Sequence, residues 1–367
     1  MQYNWQQKDW PNFTYNLHAI EDKLFLFAEK AGRISGLLKG LSEEEQIQNF
    51  IDIMVIEAIK TSEIEGEYLS RQDVMSSIKN NLGLNKPLEL VKDKRAKGIA
   101  ELVLYIRENY TAVLNEESLH TLHTLLMKGN KRINAGIWRS GTEPMQVISG
   151  SIGKEIIHYE APPSAMLARE MERFINWFND TIPSKTKDLK QAPVRAAVVH
   201  VYFESIHPYE DGNGRIGRAL SEKALYQGLG MPIPISLSVA IESKKQAYYQ
   251  ALMVAQRSNE ITPWVNYFVT TLLDAQEDAE RQINFILQKT KFFDRFNQQF
   301  NERQNKVIRR MFNEGPNGFE GGMNAKKYRS IAKTSKATAT RDLQQLVSLG
   351  AFIPYGGGRS TSYQLNL

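Results

Sequence analysis

Apolar residues recur at spacings of three and four positions along most of this chain, which is the period of one face of an α-helix. In residues 46–61 they stand at Ile47, Phe50, Ile51, Met54, Val55 and Ala58. The same spacing predicts helices over residues 96–110, 116–127, 166–180, 193–205, 218–228, 244–256 and 263–288. Ser42, followed three positions later by Glu45, forms a capping-box pattern ahead of the first of these helices. The pattern predicts a mainly α protein.

One internal segment, residues 142–163, follows a different pattern. Two short runs of β-favouring residues, 145–148 and 156–159, lie on either side of a stretch rich in glycine and serine. Pro162 and Pro163 end the segment. Short strand-like runs around such a turn predict a small β-hairpin.

The last part of the chain combines both patterns. Residues 301–312, 325–333 and 336–349 have helical spacing, and two short strands are predicted at 351–354 and 362–366. Gly356, Gly357 and Gly358 supply the turn between these strands. Three helices followed by such a hairpin form the pattern of a winged helix-turn-helix domain. We therefore predict an N-terminal helical region over 1–95, a helical core over 96–290 and a winged helix over 300–367.

Composition narrows the class of protein. The chain of 367 residues is 42% hydrophobic and 24% charged, which excludes a disordered, collagen-like or coiled-coil chain. Cysteine is absent, which excludes disulfides, cysteine zinc sites and thiol nucleophiles. No stretch approaches 18 uncharged apolar residues, and the first residues lack a signal-peptide pattern. We therefore expect a cytoplasmic protein without a membrane association.

The positive charge of the chain is concentrated at its end. The formal net charge is +5, but residues 300–367 contain 11 Lys and Arg against 4 Asp and Glu. The remainder is slightly acidic. If the protein binds nucleic acid, we expect the C-terminal region to do so.

Residues 207–218, with the sequence HPYEDGNGRIGR, bring together the groups needed for phosphoester chemistry. Gly212 and Gly214 allow the backbone to approach a ligand closely, and the helix that follows favours an anion at its N-terminus. Arg215 and Arg218 are three positions apart, so their guanidinium groups project from neighbouring helix positions. These features predict a binding site for the phosphates of a nucleotide.

Two further groups in the motif suit catalysis. Asp211 offers a carboxylate oxygen of the kind that Mg²⁺ prefers beside phosphates. His207 can take a proton from an attacking hydroxyl near neutral pH. The residues alone leave AMP transfer and phosphate transfer open, because both need Mg²⁺ and stabilisation of oxyanions.

The same glycines also match the G-x-G-x-x-G pattern of dinucleotide-binding proteins. That fold requires a preceding strand, whereas the preceding apolar residues Val194, Ala197, Val198, Val201 and Tyr202 have helical spacing. No alternating strand–helix units surround the motif. We therefore do not favour a dinucleotide-binding fold.

The twelve residues resemble the signature of the Fic (filamentation induced by cAMP) family, HPFxDGNGRxxR, with Tyr209 at the position that is usually Phe. The helical core, the hairpin, the N-terminal helix and the winged tail all have counterparts in that family. The resemblance implies a Fic-type helical core with a hairpin flap. It also implies transfer of AMP from ATP to a Ser, Thr or Tyr hydroxyl of a target protein, or of the chain itself.

The resemblance assigns a role to each motif residue. It implies that His207 is the general base and that Asp211 binds Mg²⁺. Gly212, Asn213 and Gly214 would surround the α- and β-phosphates, and Arg215 and Arg218 would hold the outer phosphates. Doc-type kinases of this fold have Lys where Gly214 stands, so Gly214 favours attack at the α-phosphate.

A second motif lies far upstream, in residues 61–66. Thr61, Glu65 and Gly66 match the inhibitory pattern [S/T]xxxE[G/N] of the same family. The resemblance implies that Glu65 pairs with Arg218 and obstructs the γ-phosphate, because one guanidinium cannot bind a carboxylate and a phosphate with the same fork. It also implies the subclass whose inhibitory helix precedes the core.

Other roles follow from the same resemblance. The hairpin would bind the target by adding a strand to its edge, with Val147, Ile148 and Ser149 as candidate contacts. Tyr248 is a candidate contact for adenine. The alternatives are removal of AMP, transfer of another phosphate-linked group, or a DNA-binding regulator with a nucleotide-sensing core. Self-association as a homodimer and DNA binding by the winged helix both stay open.

Overall fold

The computed structural model describes residues 2–149, 156–183 and 191–367. The chain divides into two compact units, one of Met1–Ser35 with Ile47–Glu277 and the other of Gly36–Gln46 with Asp278–Leu367. Helices predominate in both units, which confirms the predicted fold class. The division into regions 1–95, 96–290 and 300–367 stays a prediction. Within the described ranges, no helix combines the length and apolar character that crossing a bilayer requires.

The helices of the chain up to residue 295 alternate with short connections. In order they are α1 (Glu21–Leu38), α2 (Glu43–Ile64), α3 (Arg71–Asn81), α4 (Lys94–Glu108), α5 (Glu116–Leu126), α6 (Leu167–Asp180), α7 (Gln191–Ile206), α8 (Asn213–Leu229), α9 (Leu237–Ser243), α10 (Lys245–Ala255) and α11 (Thr262–Arg295). The predicted capping box is present ahead of α2. The Ser42 backbone N–H donates to Glu45 Oε2 at 2.9 Å, and the Glu45 backbone N–H donates to Ser42 Oγ at 3.3 Å.

The centre of the first unit is formed by α7 and α8, which pack along each other. Every residue of α7 from Ala192 to Ile206 is buried, because this helix has almost no polar side that could face water. The C-terminus of α7 and the N-terminus of α8 are joined by the motif loop. The most buried pair of helices therefore holds the candidate catalytic residues.

The start of α8 differs from the one that the apolar spacing predicts, and it agrees with the motif, which places Arg215 on the helix. The apolar pattern suggests a helix from residue 218, whereas α8 begins at Asn213. Gly212 precedes it with a φ of 84° and serves as the N-cap. The first turn contains Asn213, Gly214 and Arg215, which have no apolar periodicity, so the spacing of hydrophobic residues could not reveal it.

The predicted hairpin is confirmed. Strand β1 (Gln146–Ser149) pairs antiparallel with β2 (Ile156–Glu160), and Val147 lies opposite Tyr159 while Ile148 lies opposite Ile157. The register therefore shifts by one residue between Val147 and Ile148, as in a β-bulge. The turn is predicted at residues 149–153, of which 150–153 lie outside the described residues.

The second unit contains three shorter helices and a second hairpin. These are α12 (Glu302–Phe312), α13 (Ala325–Ala332), α14 (Lys336–Ser348), β3 (Phe352–Tyr355) and β4 (Ser362–Leu365). An isolated bridge joins Met323 to Tyr363 beside the hairpin. The hydrophobic core of the second unit includes Val307, Ile308, Met311, Tyr328, Leu343 and Phe352. The elements occur in the predicted order, and the winged-helix assignment itself stays a prediction.

Candidate active site

His207 begins the motif loop at the C-terminus of α7. Its φ is 51°, an uncommon value for a residue with a side chain, and its side chain is 14% exposed. The backbone N–H of His207 still donates to Phe203 O at 2.9 Å, as in the last turn of a helix. The chain therefore turns sharply at the candidate base, which places the imidazole at the edge of a cavity.

Arg139 holds this turn in place. Its backbone N–H donates to Pro208 O at 2.9 Å, and its Nε donates to His207 O at 2.7 Å. One terminal nitrogen donates to Pro162 O at 2.6 Å, and the other donates to Ser164 Oγ at 3.0 Å. Arg139 could not be predicted from the sequence, because an isolated arginine between two elements carries no local signal.

The motif loop also closes on itself. The Tyr209 backbone N–H donates to Asn213 Oδ1 at 2.9 Å, and Asn213 Nδ2 donates to Tyr209 O at 2.8 Å. Both the oxygen and the nitrogen of the Asn213 side chain are thus engaged within the loop. Its backbone N–H lies in the first turn of α8, where it can face an anion. The Tyr209 ring is fully buried and stacks on His123 with 3.9 Å between ring centroids.

His123 supports the loop from α5, a role that no sequence pattern indicates. Its Nδ1 accepts from the Gly136 N–H at 2.9 Å, so its Nε2 carries the proton and donates to Asp211 O at 3.2 Å. Burial lowers the pKa of His123 to about 4, which keeps this imidazole neutral. No spacing in the sequence connects His123 with the distant motif of residues 207–218.

The first turn of α8 is ready to accept an anion. Its N-cap, Gly212, provides no capping side chain, so the first backbone N–H groups of the helix lack that partner. These groups and the positive end of the helix dipole favour a negative charge. A Cβ added to Gly212 would lie 2.7 Å from the side chains of both Leu126 and Met127, so a side chain here would not fit.

Glu65 lies at this same turn. Its Oε1 accepts from Arg218 Nη2 at 2.8 Å and would clash with any Cβ added to Gly214. Arg218 is only 1% exposed and also donates from Nε to Thr61 Oγ1 and from Nη2 to Thr61 O. Burial lowers the pKa of Arg218, but Glu65, Tyr248 and Glu204 together outweigh this and hold the pKa above its ordinary value.

Arg215 pairs with two carboxylates. Its Nη1 lies 2.9 Å from Glu67 Oε2, and its Nη2 lies 3.3 Å from Asp211 Oδ1. The Arg215 side chain is 4% exposed. Glu67 is two residues after Glu65, so the turn that follows α2 contacts both motif arginines. A sequence motif marks Glu65, whereas none marks Glu67.

Asp211 suits the binding of a magnesium ion. Its side chain is 44% exposed, and Oδ1 accepts from the Gly212 N–H at 2.6 Å. Its Oδ2 has no hydrogen-bond partner among the described residues. One accessible carboxylate next to a helix N-terminus that favours anions fits the usual Mg²⁺ site, in which phosphates and water complete the ligands. Across the described ranges, no cluster of three or more acidic or histidine side chains forms a metal site made of protein alone.

Electrostatics around His207 favour its neutral form. Burial, followed by the charge of Arg139, lowers the pKa of His207 to about 4. Glu204, one turn earlier on α7, has Oε2 at 3.8 Å from His207 Nδ1. Burial and the charge of Glu65 raise the pKa of Glu204 to about 8, and Arg218 opposes that rise.

A cavity of about 830 Å³ lies in front of His207. Its lining includes Glu65, Gly214 and His207, together with residues of the hairpin and of α10. Of the three predicted target contacts, Val147 and Ile148 line it, and the side chain of Ser149 lies outside the described part of the structure. The cavity is large enough for a nucleotide, which typically occupies a site of this size class.

Tyr248 lines the cavity but is 1% exposed, and its hydroxyl lies 2.8 Å from His200 Nε2. The neighbouring Tyr249 is 41% exposed, and its hydroxyl donates to Ile64 O at 3.2 Å. Tyr249 is therefore the more accessible ring, and the adenine contact assigned to Tyr248 stays a prediction. Sequence spacing could not choose between two adjacent tyrosines.

Comparisons with known proteins agree with this geometry. Residues 113–225 match the Fic/DOC family, and residues 3–84 match a domain of unknown function, DUF4172. A protein of Aquifex aeolicus named "Probable protein adenylyltransferase" is 31% identical over 98 residues, which are 27% of each chain. The protein adenylyltransferase Fic of Drosophila willistoni is 28% identical over 134 residues, 35% of this chain and 25% of that one. The chain thus spans about a quarter of the length of these curated relatives.

Solved structures show the same fold. The crystal structure of a Fic family protein from Desulfovibrio desulfuricans G20 superposes with a TM-score of 0.54 at 20% identity. The superposition covers 97% of this chain and 98% of the chain from Desulfovibrio desulfuricans G20. At this identity the likeness concerns the fold alone. The family match over residues 113–225, which include the motif loop, confirms the resemblance found in the sequence, and this part of the chain is a Fic/DOC family domain.

Proposed function

We propose that this chain is a protein adenylyltransferase, which moves AMP from ATP to a Ser, Thr or Tyr hydroxyl of a target protein and of itself. The observation that carries the proposal is the uncapped first turn of α8, which lies between a neutral histidine and two buried arginines. The names of the relatives from Aquifex aeolicus and Drosophila willistoni support it. We further propose that it acts in the cytoplasm, where a protein without disulfides is at no disadvantage.

In the proposed reaction, the acceptor hydroxyl oxygen attacks the α-phosphorus of ATP. Its proton passes to the neutral imidazole of His207, and the bond from the α-phosphorus to the bridging oxygen breaks, so that pyrophosphate leaves. The backbone N–H groups from Gly212 to Gly214 stabilise the charge that develops on the phosphate oxygens. Arg215 and Arg218 hold the outer phosphates with their guanidinium forks.

Asp211 would hold Mg²⁺ together with the phosphates of ATP. When bound, the ion would neutralise part of the phosphate charge. The half-exposed Asp211 carboxylate, beside the phosphate-binding turn, supports this assignment. The hydrogen bond from the Gly212 N–H orients the carboxylate before any ion arrives.

Glu65 is proposed to restrain this activity. Its carboxylate lies over Gly214 and on Arg218, where the proposal places a phosphate. Two anions cannot occupy one guanidinium fork, so ATP must displace Glu65 before Arg218 can bind the γ-phosphate. The hydrogen bond from the Tyr249 hydroxyl to Ile64 O supports the closed position of the turn.

The hairpin is proposed to position the target. Strand β1 pairs only with β2 among the described residues, so its second edge is open to a further strand. Val147 and Ile148 line the cavity that contains His207, and Ser149 ends the same strand. Main-chain pairing along β1 would bring an acceptor hydroxyl near the imidazole without requiring a particular sequence.

The test is labelling with α-³²P-ATP and Mg²⁺. We expect the Glu65→Gly variant to label itself and proteins of a cell lysate at least about tenfold more than the wild type, since Arg218 no longer pairs with a carboxylate. Glu63→Gly is the matched control, because Glu63 pairs with Lys60 at 2.6 Å instead of a motif arginine. The double variant Glu65→Gly/His207→Ala should not transfer label.

Three results would count against this proposal. Equal labelling of wild type and Glu65→Gly would remove the inhibitory role of Glu65. Strong labelling by the double variant would show that His207 is not the base. Release of AMP from a modified protein, without net addition, would favour removal of AMP by hydrolysis as the function.

A second candidate function concerns the C-terminal unit, which we propose binds duplex DNA. The side chains of Lys336, Thr340, Arg341 and Gln344 are exposed on α14. The acidic residue of this helix, Asp342, is buried and accepts from Arg303 Nε at 3.0 Å and from the Tyr328 hydroxyl at 2.9 Å. The exposed face of α14 is therefore polar and basic, as a helix that enters a DNA groove requires.

A further inference from the structure

A second pocket lies beside the motif loop, and of the residues that line it the proposed function uses Arg215 alone. It has a volume of about 510 Å³ and is lined by residues of the turn after α2, the start of α4, the end of α5 and the motif. Its charged residues are Glu67, Arg95, Lys128, Lys131, Arg132 and Arg215. Five of the six are cations, so the pocket is suited to a compact anion.

The deepest of these cations is Arg215. Its side chain is 4% exposed, and its Nε is buried without a hydrogen-bond partner among the described residues. A buried guanidinium with an unused donor costs free energy unless a ligand accepts from it. Leu126 and Met127, which pack against Gly212 of the motif loop, also line the pocket. The pocket therefore adjoins the phosphate-binding turn.

The remaining cations are paired to different extents. Arg95 donates from Nη2 to Asp93 Oδ2 at 2.8 Å, and Lys128 pairs with Glu101. Lys131 and Arg132 are exposed and have no ion-pair partner in the described ranges. Without Glu67, the pocket would keep two unpaired cations beside a buried arginine.

Glu67 is the one acidic side chain among the described residues that line the pocket. Its Oε2 lies 2.9 Å from Arg215 Nη1, and its side chain is 29% exposed. The hydrogen bond that Arg95 donates to Asp93 is the largest cause of the raised pKa of Arg95, and the charge of Glu67 contributes to it. The carboxylate of Glu67 therefore neutralises part of the positive charge of the pocket, as a bound anion would.

The position of Glu67 is set by the end of α2. The backbone N–H groups of Glu65 and Glu67 both donate to Ser62 O, at 3.1 and 2.9 Å, and Gly66 between them has a φ of 81°. This is the hydrogen-bonded arrangement that ends many helices at a glycine. It directs the carboxylate of Glu65 to Arg218 and the carboxylate of Glu67 to Arg215.

We propose that the pocket of Arg95, Lys128, Lys131, Arg132 and Arg215 is a subsite for a pyrophosphate group, and that Glu67 fills its Arg215 position when no ligand is bound. The group belongs to the distal phosphates of bound ATP or to the pyrophosphate released by transfer. The proposal rests on the proposed function for the origin of the ligand. The evidence for the site itself is the lining of the pocket and the contact of Glu67 with Arg215.

The test measures binding of inorganic pyrophosphate to the full chain by titration calorimetry, at fixed ionic strength with Mg²⁺. We expect the double variant Lys131→Gln/Arg132→Gln to weaken binding about fivefold to tenfold, and Glu67→Gln to tighten it by a similar factor. The matched controls are Lys92→Gln/Lys97→Gln, two lysines outside the pocket, and Glu63→Gln. Both controls should leave the affinity unchanged.

Titrations with ATP and AMP separate the two sources of the ligand. If Lys131→Gln/Arg132→Gln weakens pyrophosphate but not ATP, the pocket takes the released product. If it weakens both, the pocket also holds the distal phosphates of ATP. AMP lacks a pyrophosphate group, so its affinity should not change in either case.

Unchanged pyrophosphate affinity in Lys131→Gln/Arg132→Gln would overturn the proposal, as would unchanged or weaker binding by Glu67→Gln. Lys131 and Arg132 are exposed, so their variants remain informative even if Glu67→Gln unfolds. AMP transfer by Glu65→Gly reports separately on the proposed function. If transfer fails while pyrophosphate binding responds as expected, the pocket stands and the transferase assignment falls.

Discussion

His207 combines an unusual backbone conformation with a neutral side chain. A φ of 51° is held by contacts of Arg139 with the carbonyl groups of His207 and Pro208. Burial lowers the pKa of the imidazole to about 4, so it is neutral across the physiological range. Burial therefore keeps the imidazole of His207 in its neutral form, which is the form that can accept a proton.

The low pKa of His207 predicts the pH dependence of transfer. We expect kcat/KM of the Glu65→Gly variant to be nearly constant from about pH 8 to about pH 6, and to fall as the pH approaches about 4 and His207 takes up a proton. Initial rates of AMP labelling in buffers of constant ionic strength measure this. A decline centred near the ordinary imidazole pKa of about 6.5 would show that the pKa of His207 is not lowered.

Burial has the opposite effect on the pKa of Glu204: it raises the pKa, so the carboxyl group favours its protonated form. Its pKa is raised to about 8, whereas that of an unfolded chain is near 4.5. The folded protein therefore binds one more proton than the unfolded chain between these values, and the stability contributed by Glu204 is lost as the pH rises from about 4.5 to about 8.

Glu204→Gln should remove this pH dependence. We expect the variant to gain stability relative to the wild type by more than about 1 kcal/mol between about pH 5 and about pH 8.5, since a neutral amide replaces a carboxyl group that must ionise. Urea unfolding at both pH values measures the difference. Glu210→Gln, at an exposed position of the motif loop, is the control, and an identical pH dependence in Glu204→Gln and wild type would contradict the assignment.

At the scale of elements, the site depends on connections between segments that are far apart in the chain. Arg139 joins the end of the hairpin segment, at Pro162 and Ser164, to the end of α7, where it also contacts Ile206 O. The N-terminal segment reaches the same place, because Asn4 Nδ2 donates to Ser205 Oγ at 2.8 Å. The motif loop is therefore supported from both sides.

Replacement of Arg139 tests this support. Arg139→Lys keeps the charge but cannot donate to all of the groups that the guanidinium contacts, so we expect a loss of about 2–4 kcal/mol in the free energy of unfolding. We also expect a lower kcat for AMP transfer in the Glu65→Gly background. Arg169→Lys is the control, because Arg169 is 65% exposed and pairs with Glu170 at 3.2 Å. Equal stability of the two variants would show that the fork of Arg139 is dispensable.

The limits of prediction from sequence also appear at this scale. The motif of residues 207–218 is contiguous, so its chemistry could be predicted from the types and spacing of its residues. The helical period located α2 and α7 within a few positions, but it missed α1, α3 and α9, and it missed the first turn of α8, whose residues are not apolar. His123, Arg139 and Glu67 reach the motif only through the tertiary fold, and no local pattern marks them.

At the scale of the whole molecule, charge is distributed unevenly between the two ends of the chain. The basic excess lies beyond residue 300, whereas the Fic/DOC match lies in residues 113–225, which contain the groups proposed to bind phosphate. The arginines of the motif are paired internally with Glu65 and Glu67. Long-range attraction of a polyanion is therefore expected at the C-terminal unit, not at the candidate active site.

This distribution predicts how the full chain binds duplex DNA. We expect a mobility shift with a duplex of about 25 base pairs at low salt, and an affinity that falls steeply as salt increases, because phosphate contacts release counterions. Lys336→Ala/Arg341→Ala should weaken binding and reduce the slope of log affinity against log salt by about one unit for each phosphate that is no longer bound. Lys306→Ala, an exposed lysine on α12, is the control for charge alone. An unchanged slope in the double variant would show that α14 does not face DNA, and the exposed helix would then be assigned to protein contacts.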